Sequence, residues 1–206
     1  MGAGTHMNEP IKDYFDAVAG GCRKRSASSI WAWQRNRETS AVSVLMGDIS
    51  GERLLDLGCG AGHYTDHFLE TGATHVTAVD FSDKMISRLT DRRVTGIVAD
   101  ATNVQLEEKF SRIVCAGLLE FAPAPDAVMR NARKFVSNDG RMICLVPPAT
   151  WGGQIYQLFQ KANGLQINLF IDDHFKSVCR DFNWVIDAKV HVFPYSDIYR
   201  VKPLVQ

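Results

Sequence analysis

The chain has no excess of charge. Its 23 lysines and arginines balance 23 aspartates and glutamates, so overall charge favours neither nucleic acid nor an anionic membrane as a partner. No apolar run is long enough to span a bilayer, and no signal-peptide pattern opens the sequence. The five cysteines (Cys22, Cys59, Cys115, Cys144 and Cys179) are odd in number and scattered, with no C-x-x-C pair. That argues against a disulfide framework and against a zinc site, and a reduced, cytoplasmic protein without a bound metal is expected. The 206 residues suit one domain, large enough to hold its core without staples. Its first six residues, MGAGTH, read as an appended extension before a natural start at Met7.

What is present is organised around residues 54–65, LLDLGCGAGHYT. A short apolar run leads into three glycines at alternate positions, Gly58, Gly60 and Gly62, and then into a helix-like stretch that reaches Glu70. Glycine lets the backbone turn tightly and pass close to a ligand, because no Cβ stands in the way. The helix start behind it offers free N–H groups and a positive dipole end, which suits an anionic group. The turn therefore reads as a cradle for a small molecule carrying a carboxylate or phosphate, against the simpler alternative of a plain strand-to-helix bend. A dinucleotide fold prefers G-x-G-x-x-G. Here the spacing is G-x-G-x-G with Asp56 two places ahead, a pattern that resembles the first motif of class I S-adenosylmethionine-dependent methyltransferases, [DE]-x-G-x-G-x-G.

Downstream the chain alternates strand and helix. Strands are expected at residues 53–57, 75–79, 94–99, 110–116 and 141–146, with helices at 82–89 (capped by Ser82) and 127–136. Repeated β-α units of this kind make a parallel sheet covered by helices on both faces. Ligands in such sheets sit beyond the carboxyl ends of the strands, where the strand order reverses. Upstream, Ile11, Tyr14, Phe15 and Val18 mark the apolar face of a short helix that Gly20-Gly21 ends, and a longer one is expected over residues 28–46. Trp31 and Trp33 on that second helix serve either to shape a pocket or simply to pack; Arg23-Lys24-Arg25 reads as a solvated loop.

The order DLGCGAG, AVDFS, VADA, VCAGLLEFAPAPDAVMRNA is similar to the small-molecule class I methyltransferases, including those of ubiquinone and magnesium-protoporphyrin biosynthesis. It runs from Asp56 to Pro147 and more faintly through YFDAVA near the amino terminus. The resemblance implies an α/β, Rossmann-like, doubly wound sheet of seven strands, its last two (184–192 and 198–201) an antiparallel hairpin. It implies a helical lid at 7–48, a cofactor-binding core at 49–150, and substrate-side helices and hairpin at 151–206. It also implies S-adenosylmethionine as cofactor, held by Asp56, Gly58, Cys59, Gly60 and Gly62. Asp80, 22 residues past Gly58, would take the ribose hydroxyls, and Phe81 and Met85 would sandwich the adenine. Asp100 and Ala101 would meet its edge, and the backbone of Ala116 and Gly117 the methionine amino group. One departure stands out. Where many relatives read LEH, with the histidine proposed as a base in some, this chain has Leu119-Glu120-Phe121.

Residues 151–182 are where such enzymes vary. An apolar helix face at Ile155, Leu158, Phe159 and Ala162, the apolar run LQINLFI, and a further helix with Phe175, Val178, Cys179 and Phe182 facing inward are expected. Tyr14, Trp31, Trp151 and Tyr156 are candidates for the acceptor side, and His174 is a weak candidate base. The expected activity is methyl transfer to oxygen, nitrogen or carbon of a small, flat or aromatic molecule. A cofactor-binding subunit without catalysis is the second reading. A nicotinamide enzyme is a third, although it would explain Asp80 and not Asp100. Nucleic-acid amine methylation lacks its [DN]-P-P-[YF] signature, since Ala116-Gly117-Leu118-Leu119 stands there.

Overall fold

The computed structural model describes residues 9–18 and 29–204. Gly20-Gly21, Cys22, the basic loop after it and the first six residues lie outside that range, as does the side chain of Trp31. The elements follow in the order α1 (Glu9–Val18), α2 (Ser29–Met46), β1 (Arg53–Leu57), α3 (His63–Glu70), β2 (His75–Asp80), α4 (Asp83–Ile86), β3 (Val94–Val98), β4 (Phe110–Ala116), α5 (Pro125–Ala132), β5 (Val136–Val146), α6 (Trp151–Ala162), α7 (Asp172–Asp181), β6 (Trp184–Val192) and β7 (Ser196–Pro203). The seven strands form one sheet in the order β3-β2-β1-β4-β5-β7-β6. The first five are parallel, and β7 runs antiparallel between β5 and β6. No helix among the described residues is long and apolar enough to cross a membrane.

Strand β1 is apolar on both faces because helices cover both. Leu55 and Leu57 pack with Val128, Met129 and Ala132 of α5 and with Phe175, Val178 and Cys179 of α7. Leu54 looks the other way, into Val42, Leu45 and Met46 of α2 and Tyr64, Phe68 and Leu69 of α3. Burying a side chain of this size contributes about 1.5–3 kcal/mol. Asp56 lies between these leucines with 2% of its surface exposed, and its carboxylate accepts from Thr65 Oγ1 at 2.7 Å. Leu57 pairs with Val79 on one side and Cys115 on the other. The loops that follow β1, β2 and β4 therefore start side by side, at the point where strand order reverses.

Several boundaries differ from the sequence expectation. Helix α4 is a single turn with Ser82 as its cap, accepting from Met85 N–H; beyond it the chain swings so that Leu89 lies against Gly62. Helix α5 stops at Ala132, because Val136 already pairs with Phe110 and opens β5 before a register shift that brings Arg141 opposite Arg112. Helix α2 is less a lid than a member of the core: Val42, Leu45 and Met46 are buried, and Arg37 donates to the Phe193 carbonyl at 2.9 Å. Helix α1 does sit over the strand ends. Its Ile11 packs with Phe121, Leu165 and Ile167, and Asp16 accepts from Ser82 Oγ.

The largest difference concerns α6. The face expected to cover the site is turned outward, leaving Trp151, Ile155, Leu158 and Phe159 exposed. Gly152 and Gly153 decide the rotation. They lie backbone to backbone on the Pro194 and Pro148 carbonyls, where a Cβ would overlap the oxygen. With that side pressed inward, the inner wall one turn on falls to Tyr156 and Gln160. Gly153→Ala is accordingly expected to destabilise the fold by about 1–3 kcal/mol, the range for overpacking, and to loosen α6 first. Equilibrium urea unfolding checks it; a midpoint unchanged from wild type would show that the backbone contact is not tight.

Candidate functional site

The three glycines of the turn do three different jobs. All have positive φ, at 74°, 53° and 88° for Gly58, Gly60 and Gly62. A Cβ on Gly58 would stand 2.7 Å from Leu118 Cβ, so this glycine lets the loop after β4 come close. At Gly62 it would stand 2.5 Å from Leu89 Cδ2, and Gly62 also leads into α3. Gly60 has nothing within 4 Å of that position. Its face is open, toward a cavity of about 630 Å³ over the strand ends.

Asp80 closes the near side of that cavity. One carboxylate oxygen accepts from Gly60 N–H and the other from Ser82 N–H, each at 2.9 Å. Burial pushes the Asp80 carboxyl up, and these two N–H groups oppose it. Gly58, Cys59, Phe81, Met85, Ala116 and Gly117 line the same cavity, as do Tyr14 and Tyr156. The other sequence candidates lie elsewhere. Asp56 braces α3 through Thr65, and Gly62 is spent on packing. Asp100 caps its own turn, accepting from Thr102 N–H at 2.8 Å, while its second oxygen is buried without a partner; neither it nor the buried Ala101 is on the cavity wall. Trp151 is exposed and packs on Phe193 at 5.8 Å. That is the outcome of the α6 rotation, which turns it away from the acceptor side. His174 is exposed on α7 and is off the cavity wall as well.

The cavity holds residues that pattern reading passed over. Arg35, Asn36 and Thr39 enter from α2, His63 from the first position of α3, and Glu120 from the loop after β4. His63 Nε2 is 2.8 Å from Thr39 Oγ1, and burial, with the Arg35 charge nearby, pushes the imidazole down to about 4. It is therefore neutral. Glu120 is 3% exposed, and burial pushes its carboxyl up to about 8. Phe121, in place of the family's histidine, packs edge-on against Phe15 of α1 at 5.2 Å. Only His63 carried a signal in the sequence, by standing directly behind the glycine turn; the α2 residues are brought in by helix packing.

Comparison with known proteins gives the family. A family model described as a methyltransferase domain matches residues 30–189, and the chain belongs to that family. It is 27% identical over 140 residues to a malonyl-[acyl-carrier protein] O-methyltransferase of Bacillus cereus, covering 66% of this chain and 48% of that protein. It is 30% identical over 108 residues to a ubiquinone biosynthesis O-methyltransferase of Bordetella avium, covering 48% of this chain and 44% of that one. The chain thus spans about half the length of the curated relatives it matches. Among solved structures, the magnesium protoporphyrin IX methyltransferase of Synechocystis PCC 6803, crystallised with S-adenosylhomocysteine, shares the fold. Its TM-score is 0.75 at 18% identity, over 93% of this chain and 97% of that one.

Two buried acids give a pH signature. Burial raises Asp56 from 3.8 to about 7 and Glu120 from 4.5 to about 8. Both stay protonated when folded while they ionise in the unfolded chain, so the unfolded state binds fewer protons between those limits. Stability is expected to fall as pH rises toward 8 and to level off above, with His63, held down to about 4, opposing the fall below about 6.5. Acids held low by partners, such as Asp16 and Asp91, act below that window. Glu120→Gln should flatten the upper part of the slope, measured by urea midpoints at pH 5, 7 and 9. An unaltered slope would mean that Glu120 is ionised in the folded protein.

Proposed function

We propose that the protein transfers the methyl group of S-adenosylmethionine to an oxygen, nitrogen or carbon atom of a small molecule. The observation that carries the reading is the Asp80 carboxylate, joined to Gly60 N–H beside an open glycine face. Each Asp80 oxygen takes one backbone N–H and keeps a second lone pair, enough for two neighbouring ribose hydroxyls. Phe81 and Met85 stand on the same wall for the two faces of an adenine. Asp100, which lies off the cavity wall and has one oxygen without a partner, is the acid proposed for the adenine amino group. Arg35, whose charge bears on His63 at the start of α3, is the cation that a methionine carboxylate needs. The carbonyls of Ala116 and Gly117 suit its amino group.

The cofactor supplies, when bound, a methyl group on a positively charged sulfur that needs no further activation. The protein's part is to aim and to keep dry. Holding the nucleophile in line can provide about 7–11 kcal/mol of the barrier. Ile11 and Phe15 of α1, clasped to the β2 loop through Asp16 and Ser82, cover the cavity and exclude water from the transfer path. The aromatic wall of Tyr14, Phe15, Phe121 and Tyr156 favours a flat acceptor. In this reading α1 is the lid, residues 49–150 hold the cofactor, and residues 151–206 complete the acceptor side.

Titration calorimetry tests the assignment. S-adenosylhomocysteine is expected to saturate one site per chain and NADH to give no heat; saturation by NADH alone would reverse it. Asp80→Ala should weaken the sulfur cofactor by about 1.5–3 kcal/mol, as for hydrogen bonds to a charged group. Unchanged affinity in a folded variant would reduce Asp80 to a turn residue. Amide exchange across Glu9–Val18 should slow on adding S-adenosylhomocysteine, more than across the β6–β7 hairpin. Equal exchange with and without it would make α1 a packing element.

A further inference from the structure

We propose that the acceptor is an amine, its nitrogen received by the Glu120 carboxylate on the cavity wall; the inference rests on the methyl-transfer reading above. Glu120 follows β4 by four residues and is 3% exposed. Its Oε2 is buried without a hydrogen-bond partner, the one such side-chain atom among the described residues that belongs to a residue of the cavity wall. Buried acceptors are almost always paired. Because Glu120 belongs to the cavity wall, a ligand in the cavity can bring the donor that this oxygen lacks within the chain.

The surroundings favour a donor that carries positive charge. The groups that bear on Glu120 are Glu38 of α2, Tyr156 of α6 and Cys115 of β4, none of them a cation. Arg35 is the only lysine or arginine among the described lining residues, and its charge acts on His63, Glu38, Tyr64 and Tyr195. Aromatic rings complete the wall. Phe121 adjoins Glu120, and Tyr156 is stacked on Tyr195 with centroids 4.8 Å apart. Ring faces attract ammonium groups, all the more away from water. A phenolate or carboxylate acceptor would meet the opposite conditions, an anionic oxygen set against the unpaired acceptor of Glu120.

The chemistry balances with the groups present. Binding of the ammonium displaces the proton that the buried Glu120 carboxyl carries in the empty site, and Glu120 then takes one proton from the bound ammonium, leaving a neutral amine with a free lone pair. That pair forms the N–C bond to the methyl group as the S–C bond breaks, its electrons remaining on sulfur. The nitrogen leaves as a methylated ammonium, and Glu120 keeps the proton that it carries in the empty site. The positive charge appears beside Glu120, among whose described electrostatic neighbours there is no cation, the sign this end of the site accommodates. A carboxyl raised to about 8 by burial is also closer in basicity to an amine than an exposed one is.

The test uses the full chain loaded with S-adenosylhomocysteine. Benzylamine, phenethylamine and n-butylamine are each compared with the alcohol and the carboxylate of matching shape, by calorimetry and ligand-observed NMR. At least one amine is expected to bind about tenfold or more tighter than its alcohol, as charge-assisted hydrogen bonds outweigh neutral ones, with carboxylates weakest. Glu120→Gln should bring amine and alcohol to within about twofold, leaving S-adenosylhomocysteine affinity unchanged. The proposal is overturned if alcohols or carboxylates bind as well as amines, if no amine binds, or if the folded variant keeps the preference. Should Glu120→Gln fail to fold, the wild-type ranking alone decides. Loss of S-adenosylhomocysteine binding in the wild type would overturn the methyl-transfer reading as well. Retained binding without amine preference overturns only this inference.

Discussion

The carboxylate of Asp80 joins two loops that no strand pairing connects. Through Gly60 N–H it holds the glycine turn after β1, and through Ser82 N–H it shapes the turn after β2. Gly58 and Cys59 N–H reinforce the link by donating to the Val79 carbonyl at 2.8 and 3.1 Å. A charge-assisted bond to a backbone N–H is stronger than a neutral one, and here it lies in a site that is 7% exposed. The open face of Gly60, the position of Phe81 and the cap of α4 all depend on this clasp. From Ser82 it extends to Asp16 and so to α1.

Packing on both faces of the sheet makes the clasp rigid. Asp56, one strand residue before Leu57, is bonded to Thr65 of α3, so the helix behind the turn cannot rotate without breaking a buried contact. Above the strand ends Phe15 touches both Phe81 and Phe121, at 6.1 and 5.2 Å and near right angles. Edge-to-face rings of this kind give an apolar cover with defined geometry. The place where the resembled family carries a histidine is thus occupied by a ring that packs on α1. Beside it Glu120 is the polar group that the cover leaves unpaired.

Charge is divided within one cavity. Arg35 stands by the start of α3, where a helix N-terminus already favours an anion, and Glu120 stands among carboxyl groups, phenols and rings. A molecule bound across both ends meets a cation at one and an acid at the other. Helix α6 contributes Tyr156 and Gln160 to the acidic end and turns Trp151, Ile155, Leu158 and Phe159 to the outside.

Alternating apolar segments with glycine and aspartate at their ends were enough to read the sheet and its winding. Those features are local: a parallel strand buried on both faces must be apolar throughout, and a turn that meets a ligand must be glycine. Gly58, Gly60, Asp80, Phe81 and Met85 were legible as strand-end residues for that reason, and they line the cavity. The acceptor side was not. An apolar stripe on α6 predicts a buried face, but Gly152 and Gly153 against the Pro148 and Pro194 carbonyls set the rotation, and backbone contact between distant segments leaves no periodic trace. Asp56 and Gly62 match the motif as well as their neighbours do. Which glycine faces the cavity, and which carboxylate braces a helix, depends on what stands opposite, Leu89 or Thr65. Arg35 and Glu120 come from different helices and loops, and only tertiary packing put the one near the glycine turn and left the other buried without a partner.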